Sequence, residues 1–327
     1  MAEPLLFTLN AFVDYASRVA SHLGISLGKH EERAFEDGEF KIRPLESARG
    51  REVFLLASLY SDPSLSVNDK LLRVLLFTGA LRDASAREIT LVLPYLAYAR
   101  KDRRTQARDP VSLRYLAQMI EAVGADRVVT LEVHNPAAYQ NAFRCIAEHL
   151  DSFPIFLDWL LSVLTPEEPV AVVSPDTGGY KRAQLFRQKL AARLGSEVEI
   201  AVTEKLRGGG ELHHGRLLGE VTGSTVLIFD DLIVTGRTLA HAARLCKAEG
   251  AKRVFALAAH GLFHPSANQH LAEPALDKIV VTDTVTPWHL TGQEVKDKLL
   301  VLDTTAFLAQ AIARIHQGES LTELFDR

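Results

Sequence analysis

The sequence predicts an α/β fold with two domains, each a mainly parallel sheet flanked by helices. Short apolar runs typical of buried strands alternate with segments whose apolar residues recur at helical spacing, and this alternation runs through both halves of the chain. The chain has 327 residues, which is about twice the usual size of one domain. We expect domains over 1–150 and 151–327, with a last helix that packs back on the first domain as the alternative.

The first half contains four predicted strands and three predicted helices. The strands are Leu5–Thr8, Val53–Ala57, Ile89–Leu93 and Val128–Leu131, and the helices are Phe12–Leu23, Asn68–Leu81 and Val111–Val123. In the third helix, apolar residues at 113, 116, 120 and 123 share one face, which is the spacing of an amphipathic helix.

The second half repeats the alternation after a boundary near His149–Pro154. The predicted strands are Val170–Val173, Glu197–Val202, Val226–Phe229, Val254–Ala258 and Ile279–Val281, and the helices are Tyr180–Leu194, Gly236–Glu249 and Thr304–Gln317. Ligands of such sheets bind beyond the carboxyl ends of the strands. The residues that follow each strand are therefore the candidates for function.

Composition narrows the class of protein. Hydrophobic residues make up 47% and charged residues 24%, and the net charge of −4 argues against a general nucleic-acid surface. Cys145 and Cys246 lie far apart and form no zinc or redox motif. Residues 1–9 lack the basic start of a signal peptide, and no apolar run approaches the roughly 20 residues that span a bilayer. We therefore predict a cytoplasmic protein without a membrane partner.

Residues 226–239 are the most informative stretch of the chain. Four apolar residues predict a buried strand, and Asp230 and Asp231 follow directly. Thr235–Thr238 then bring hydroxyls and backbone N–H groups to the start of a helix, where the helix dipole favours a phosphate. Two adjacent carboxylates suit the vicinal hydroxyls of a ribose, or a bridging metal ion. The stretch predicts a sugar-phosphate site, and the alternative is an ordinary capped turn.

A dense cationic segment follows the predicted strand that ends at Leu93. Arg100, Lys101, Arg103 and Arg104 lie within five residues of one another. Such a cluster suits a polyphosphate, because guanidinium and ammonium groups donate charge-assisted hydrogen bonds to phosphate oxygens. The alternative is a solvated basic turn.

Three further strand ends carry candidate chemistry. His134 lies two residues after an acid at a strand end, which favours a role as a metal ligand, and the alternative is a structural histidine. Asp176 precedes two glycines and a helix, a place for a metal ion or a phosphate. Lys205 and Arg207 precede three glycines, a composition typical of a lid over a transferring phosphoryl group. The alternative for this last segment is a surface turn.

The ordered set of motifs resembles the ribose-phosphate diphosphokinases, also called phosphoribosyl diphosphate synthetases. The matching segments are a nucleotide hairpin at Phe35–Glu39, a helix start at Ser66–Asp69, an ATP loop at Tyr98–Arg104, the magnesium-site residues His134 and Asp176, the catalytic-loop pair Lys205 and Arg207, a ribose 5-phosphate loop at Asp230–Thr238, and the C-terminal run Ile315–Ser320. Their order and spacing together are specific to this family.

The resemblance implies two related phosphoribosyltransferase-type domains and a Mg²⁺-dependent reaction. The β,γ-diphosphoryl group of ATP would pass to the anomeric hydroxyl of ribose 5-phosphate, giving 5-phosphoribosyl 1-diphosphate and AMP for nucleotide biosynthesis. The resemblance also implies a homo-oligomer with a dimer as its building block and a hexamer as one candidate size. In that assembly a neighbouring subunit's Phe35 hairpin would complete the adenine pocket. No nucleic-acid partner is expected.

The resemblance also assigns roles to individual residues. The implied sites are Lys205 and Arg207 for catalysis; Phe35, Asp37, Gly38, Glu39, Arg100, Lys101 and Arg103 for ATP; Asp230, Asp231, Val234, Thr235, Gly236, Arg237 and Thr238 for ribose 5-phosphate; and His134 and Asp176 for Mg²⁺. Four positions depart from the family pattern: Val234 and Glu132 each replace an Asp, Arg237 a small residue and Lys101 a Gln. Selectivity for ATP and ribose 5-phosphate therefore stays open.

Two other functions remain alternatives. A phosphoribosyltransferase that consumes phosphoribosyl diphosphate would share the ribose loop, but the double-length chain and the ATP-like segments around Phe35 and Arg100 argue against it. A non-catalytic regulatory homologue would also share the fold. The presence of Lys205, Arg207 and His134 argues against that alternative.

Overall fold

The computed structural model of the chain describes residues 3–165, 167–204, 207–208, 211–212 and 215–325, with the backbone alone at 207–208 and 211–212. The chain forms two compact units. The first combines Met1–Asp151 with Thr304–Arg327, and the second is Ser152–Asp303. Each unit has a sheet flanked by helices, which confirms the predicted α/β class.

Sixteen strands lie within the described residues. They are β1 (Leu5–Thr8), β2 (His30–Ala34), β3 (Phe40–Pro44), β4 (Glu52–Leu56), β5 (Glu88–Val92), β6 (Arg127–Leu131), β7 (Ile146–Leu150), β8 (Val170–Ser174), β9 (Glu199–Glu204), β10 (Arg207–Gly208), β11 (Glu211–Leu212), β12 (Arg216–Leu218), β13 (Thr225–Ile233), β14 (Arg253–Gly261), β15 (Lys278–Thr282) and β16 (Leu299–Leu302).

Ten α-helices lie in the same described part of the chain. They are α1 (Val13–Leu23), α2 (Val67–Asp83), α3 (Ser112–Ala122), α4 (Pro136–Ala142), α5 (Phe153–Val163), α6 (Tyr180–Leu194), α7 (Arg237–Ala248), α8 (Ala267–Leu271), α9 (Gln293–Lys298) and α10 (Thr305–Gln317). None of the described helices is long and apolar enough to cross a membrane.

The first unit is built on a five-stranded parallel sheet in the order β1-β4-β5-β6-β7. One face of this sheet packs against apolar residues of α2 and α3, and the core there includes Phe7, Leu55 and Leu91. Helix α2 begins at a capping box, because the Ser66 side chain accepts from the Asp69 N–H while the Asp69 carboxylate accepts from the Ser66 N–H.

Helix α10 returns to the first unit and packs against α1. The hydroxyl groups of Tyr15 and Thr304 share a hydrogen bond, and His316 Nδ1 lies 2.7 Å from Glu52 Oε2 at the start of β4. Tyr15 and Glu52 are both buried. The last α-helix therefore covers apolar surface of a unit whose strands and other α-helices end more than 150 residues earlier.

The second unit is built on a seven-stranded sheet in the order β12-β9-β8-β13-β14-β15-β16. All neighbours are parallel except β12, which pairs antiparallel with β9. An aromatic cluster covers one face, where Phe186 of α6 stacks on Phe229 of β13 with ring centroids 4.2 Å apart. Apolar residues of α7 and α8 cover the other face.

Most predicted elements are present, with shifted ends. The strand predicted at Glu197–Val202 lies at Glu199–Glu204, and the strand predicted to end at Phe229 continues to Ile233. The early end at Phe229 was wrong because the neighbouring β14 also extends and pairs Asp230 with Ala258. Strand β7 was missed because its sequence, Ile-Ala-Glu-His-Leu, lacks a continuous apolar run.

Candidate active site

The carboxyl edge of the second sheet brings two of the predicted motifs together. Strands β8 and β13 are parallel neighbours, with Val173 opposite Ile228. Asp176 follows the end of β8, and Asp230 and Asp231 lie near the end of β13. Because the carboxyl ends of parallel neighbours lie at the same edge, all three acids lie at the carboxyl edge of this sheet.

Arg182 holds the two adjacent acids of β13, and sequence reasoning missed it. Its Nη1 lies 3.1 Å from Asp231 Oδ1 and 3.5 Å from Asp230 Oδ1. The side chains of Arg182 and Asp231 are 13% and 5% exposed. Arg182 lies in the first turn of α6, shortly after Asp176, so both motifs share this helix start. The signal in the sequence that could have revealed Arg182 was a cation in the first turn of a predicted helix.

Asp231 also perturbs the ionisation of Asp230. Burial and the neighbouring Asp231 carboxylate raise the pKa of Asp230 well above its usual value, although Arg182 and the Asp231 backbone N–H oppose this. A carboxyl group in this state gains by accepting hydrogen bonds from a ligand. The pair is therefore suited to the hydroxyl groups of a sugar.

The loop after β13 turns sharply into α7. Gly236 caps the helix with φ of 72°, and a Cβ at this position would lie 2.5 Å from Leu271 Cδ2. Only glycine meets both conditions without strain. Thr235 and Arg237 are exposed at the helix start, and the first turn carries no acid. The Val234 carbonyl accepts from the His264 N–H at 2.7 Å. This helix start therefore fits an anionic group.

The loop after β8 is held by its own hydrogen bonds. The Ser174 hydroxyl donates to the Asp176 carbonyl at 2.6 Å, and the Gly179 N–H donates to Asp176 Oδ1 at 3.1 Å. The Thr203 hydroxyl donates to the Pro175 carbonyl at 2.7 Å. Asp176 is thus fixed as a half-buried carboxylate at the edge of the sheet.

The predicted catalytic pair is only partly within the described residues. Lys205 lies outside them. For Arg207 the backbone alone is described, and it pairs antiparallel with Leu212 across the short β10–β11 ladder. The roles predicted for both residues remain predictions.

In the first unit, the predicted nucleotide hairpin is formed by β2 and β3. The Asp37 carboxylate accepts from the Glu39 N–H at 3.1 Å, and Gly38 adopts φ of 91° at the turn. Phe35 is 39% exposed, and the Arg33 guanidinium carbon lies 4.9 Å from the centroid of its ring. The turn therefore presents an aromatic ring and acids on an open surface.

The cationic loop after β5 is organised by Asp109, which the sequence analysis did not single out. Asp109 Oδ2 lies 2.8 Å from Lys101 Nζ and 2.7 Å from the Thr105 hydroxyl. Hydrogen bonds from Lys101 and Thr105 hold the pKa of Asp109 far below its usual range. Lys101 is thus tied to its own loop, whereas Arg100 and Arg103 are exposed and face solvent.

A separate cluster of metal-type side chains lies at the ends of β6 and β7. Ligand atoms of Glu132, His149 and Asp151 lie within 4.8 Å of one another. Glu132 adopts the left-handed φ of 47° and is buried, whereas His134 is exposed. The cluster includes Glu132 but not His134. The role of His134 as a metal ligand therefore remains a prediction.

Comparisons with known proteins agree over the whole chain. Residues 5–124 match the N-terminal domain of ribose phosphate pyrophosphokinase, and residues 214–326 match the phosphoribosyl synthetase-associated domain. The ribose-phosphate pyrophosphokinase of Haemophilus ducreyi is 37% identical over 329 residues, covering 100% of both chains. Ribose-phosphate pyrophosphokinase 1 of Streptococcus pneumoniae serotype 4 is 36% identical, covering 98% of this chain and 96% of its own. The chain belongs to the ribose-phosphate pyrophosphokinase family.

The structure agrees with that assignment. The phosphoribosylpyrophosphate synthetase of Mycobacterium smegmatis aligns with a TM-score of 0.85 at 32% identity, covering 97% of this chain and 99% of its own. The predicted fold, enzyme class and family are therefore confirmed. The protein is an enzyme that makes phosphoribosyl pyrophosphate, and neither the base-joining transferase nor the non-catalytic homologue is favoured.

Proposed function

We propose that this ribose-phosphate pyrophosphokinase transfers the β,γ-diphosphoryl group of ATP to ribose 5-phosphate. The observation that carries the proposal is the edge of the second sheet, where Asp230 and Asp231 precede a glycine-capped helix and Asp176 follows the adjacent strand. In the reaction the anomeric hydroxyl attacks the β-phosphorus. The bond between that phosphorus and the oxygen bridging to the α-phosphate breaks, and AMP leaves.

The ribose end of the site has two parts. Asp230 and Asp231 would accept hydrogen bonds from the ribose hydroxyls, with Arg182 keeping both carboxylates in place. Backbone N–H groups at Gly236 and Arg237 would bind the 5-phosphate at the start of α7, with Thr235 and Thr238 adding hydroxyl groups. This division holds one sugar phosphate at both ends.

The residues that we propose to bind the nucleotide belong to the first unit. The exposed guanidinium groups of Arg100 and Arg103 would bind the triphosphate of ATP. Phe35 and the Asp37–Glu39 turn would contact the adenosine bound by a neighbouring subunit. Lys101 donates hydrogen bonds but cannot accept them, and Asp109 already engages its ammonium group.

The carboxylate side chains of the second unit fit Mg²⁺. Carboxylate oxygens at Asp176, Asp230 and Asp231 are the hard ligands that Mg²⁺ prefers, whereas the exposed imidazole of His134 is a softer one. When bound, Mg²⁺ would neutralise phosphate charge.

We also propose that the enzyme is cytoplasmic and works as a homo-oligomer.

Lys205 and Arg207 would stabilise the charge that develops on the diphosphoryl group in transfer. Replacing either with Ala should lower kcat by roughly 10²-fold or more with a smaller change in KM, because such groups act chiefly in the transition state. Steady-state kinetics measure this. An unchanged kcat with a raised KM would assign both residues to ground-state binding instead.

The reaction itself is tested by incubating the purified protein with Mg²⁺, ATP and ribose 5-phosphate and separating the nucleotides. AMP and phosphoribosyl pyrophosphate are expected in equal amounts. ADP would show transfer from the γ-phosphate and sink the proposed mechanism. Asp231→Asn serves as the matched control, since it keeps the shape of the ribose site and removes a charge. A panel of other sugar phosphates tests selectivity.

A further inference from the structure

A buried ion pair joins the hairpin β2–β3 to α2. Glu32 of β2 and Arg73 of α2 have side chains only 6% and 9% exposed, and Glu32 Oε1 lies 3.2 Å from Arg73 Nη1. Charged side chains are rarely buried to this degree unless they are paired. Removing one partner of such a pair leaves the other charge buried and uncompensated, so the loss of either side chain is strongly destabilising.

Arg73 engages both strands of the hairpin. The antiparallel register places Glu32 opposite Ile42 and Ala34 opposite Phe40, so all four face the same side. The Arg73 guanidinium carbon lies 4.2 Å from the centroid of the Phe40 ring. One side chain thus contacts β2 through its charge and β3 through a cation–π interaction.

The contacts around Glu32 favour its charged form. The Asn10 N–H donates to Glu32 Oε2 at 2.8 Å, and His30 Nε2 lies 3.7 Å from the same oxygen. Burial raises the pKa of Glu32, but these two partners and the charge of Arg73 outweigh burial and hold the pKa below its usual value. The carboxylate is therefore an anionic partner for Arg73 at neutral pH.

The same helix is tied to the cationic loop. Asn68, in the first turn of α2, accepts a hydrogen bond from the hydroxyl of Tyr98. Tyr98 lies two residues before Arg100 and adopts φ of 63°. Asn68 and Arg73 are five residues apart, or about 7.5 Å along the helix axis. A short stretch of α2 therefore contacts both segments of the first unit that were predicted to bind nucleotide.

We propose that Arg73 is a positioning residue for nucleotide binding, which fixes the hairpin through Glu32 and Phe40. Phe35 lies three residues beyond Glu32, about 10 Å along the strand. A small rotation at the ion pair would therefore displace the Phe35 ring from the adenine pocket, which the family resemblance places on a neighbouring subunit. The ligand class, a nucleoside triphosphate, rests on the proposed function, whereas the anchoring itself does not.

The kinetic test compares Arg73→Met with Arg82→Met. Arg82 lies on the same helix and pairs with Asp126, away from the hairpin, so its loss controls for general weakening of α2. Arg73→Met should raise the KM for ATP about tenfold while kcat and the KM for ribose 5-phosphate stay near wild type. Arg73→Lys should recover part of the loss, because it keeps the charge but lacks the planar group over Phe40. Arg82→Met should leave all three constants unchanged.

Hydrogen exchange tests the anchoring without using activity. Backbone amides of residues 30–44 should exchange faster in Arg73→Met and in Glu32→Gln than in wild type, and not in Arg82→Met. The double variant should be no worse than the more severe single one, since both remove the same contact.

Three outcomes would overturn the inference: unchanged exchange in the hairpin, equal rises in both KM values, or the same result for Arg73→Met and Arg82→Met. If Arg73→Met does not fold, Arg73→Lys decides alone, because an unchanged KM for ATP in that variant counts against the proposal. If wild type makes no AMP, the proposed function fails and the exchange data still decide the anchoring.

Discussion

Asp230 and Asp231, which we propose as ribose-binding acids, illustrate a conflict between ligand binding and stability at single residues. Two adjacent acids lie at the edge of a sheet, with side chains 25% and 5% exposed and Arg182 beside both. Burial and the neighbouring Asp231 carboxylate disfavour the charged form of Asp230. A fold selected for stability alone would avoid this arrangement, whereas a site that must accept hydrogen bonds from a ligand requires it.

The raised pKa of Asp230 predicts a pH dependence. The folded state holds this proton more tightly than the unfolded state, so this group's contribution to stability falls as pH rises above the ordinary Asp pKa of about 3.9. Asp230→Asn removes the titration. The variant should gain unfolding free energy relative to wild type as pH rises from about 4 towards neutrality, while losing activity. Urea denaturation across this range measures it, and a difference independent of pH would contradict the expectation.

Arg237 and Val234 are the two residues of the proposed ribose loop that depart from the family pattern. The Arg237 side chain is exposed at the first position of α7, where it can donate a charge-assisted bond to the 5-phosphate. Val234 cannot accept a hydrogen bond, and a missing one costs about 1 kcal/mol. Arg237→Gly should therefore raise the KM for ribose 5-phosphate, and Val234→Asp in that background should recover part of the loss. Steady-state kinetics on both single variants and the double variant decide it; neutral or improved turnover in Arg237→Gly would make Arg237 a surface residue or an obstruction.

At the scale of elements, the segment β13–α7 is suited to the proposed ribose site because both of its ends are fixed. Strand β13 pairs with β14 as far as Ile233 and with β8 at residues 225–228, and its apolar residues 226–229 are fully buried. Helix α7 packs one apolar face against the sheet. The short turn between them, including Gly236, therefore has little freedom, and the N–H groups at the helix start keep a constant direction.

Gly236 is the position at which this turn is most sensitive. Gly236→Ala combines a left-handed backbone with a Cβ that meets Leu271, so unfolding free energy should drop by about 2 kcal/mol or more. The KM for ribose 5-phosphate should rise as the helix start shifts. Leu271→Ala, which leaves a cavity on its own, should relieve the clash but not the backbone strain. Denaturation of the two single variants and the double variant should show a combined loss smaller than the sum, and simple additivity would contradict the proposed contact.

At the scale of the whole molecule, the chain completes its first unit last. Residues 152–303 form a contiguous second unit, whereas the first unit needs α10 from the end of the chain to cover α1. Tyr15 and Val19 of α1 are buried in the complete unit. The first unit therefore depends on a helix that is synthesised after the whole second unit.

Fragments test this organisation. Residues 152–303 expressed alone should unfold cooperatively, because their sheet and both covering layers are complete. Residues 1–151 alone should unfold at lower urea concentration, since α1 loses its cover. A peptide of residues 304–327 added in trans should raise that midpoint in a concentration-dependent way. Circular dichroism follows both transitions, and an unaffected midpoint would show that α10 contributes little to the first unit.

The sequence by itself determined the α/β class, most of the elements and the family. Apolar runs such as 226–229 and helical spacing such as 113–123 are local signals. They predict which residues are buried, because a strand or helix must bury its apolar face. The motif at 230–238 is likewise local, since acids, glycine and hydroxyls adjacent in sequence stay adjacent in the fold. Strand β7 was not predicted because a partly polar strand carries no such local signal.

Only the tertiary structure decided which distant residues meet. Arg182 reaches Asp231 across 49 positions, Leu271 fills the space beside Gly236, and Arg73 meets Glu32 from another element. It also assigned α10 to the first unit. A charge or an apolar side chain has many acceptable partners in a sequence of this length. The register of the sheets and the packing of the helices choose among them, and those depend on contacts summed over each whole unit.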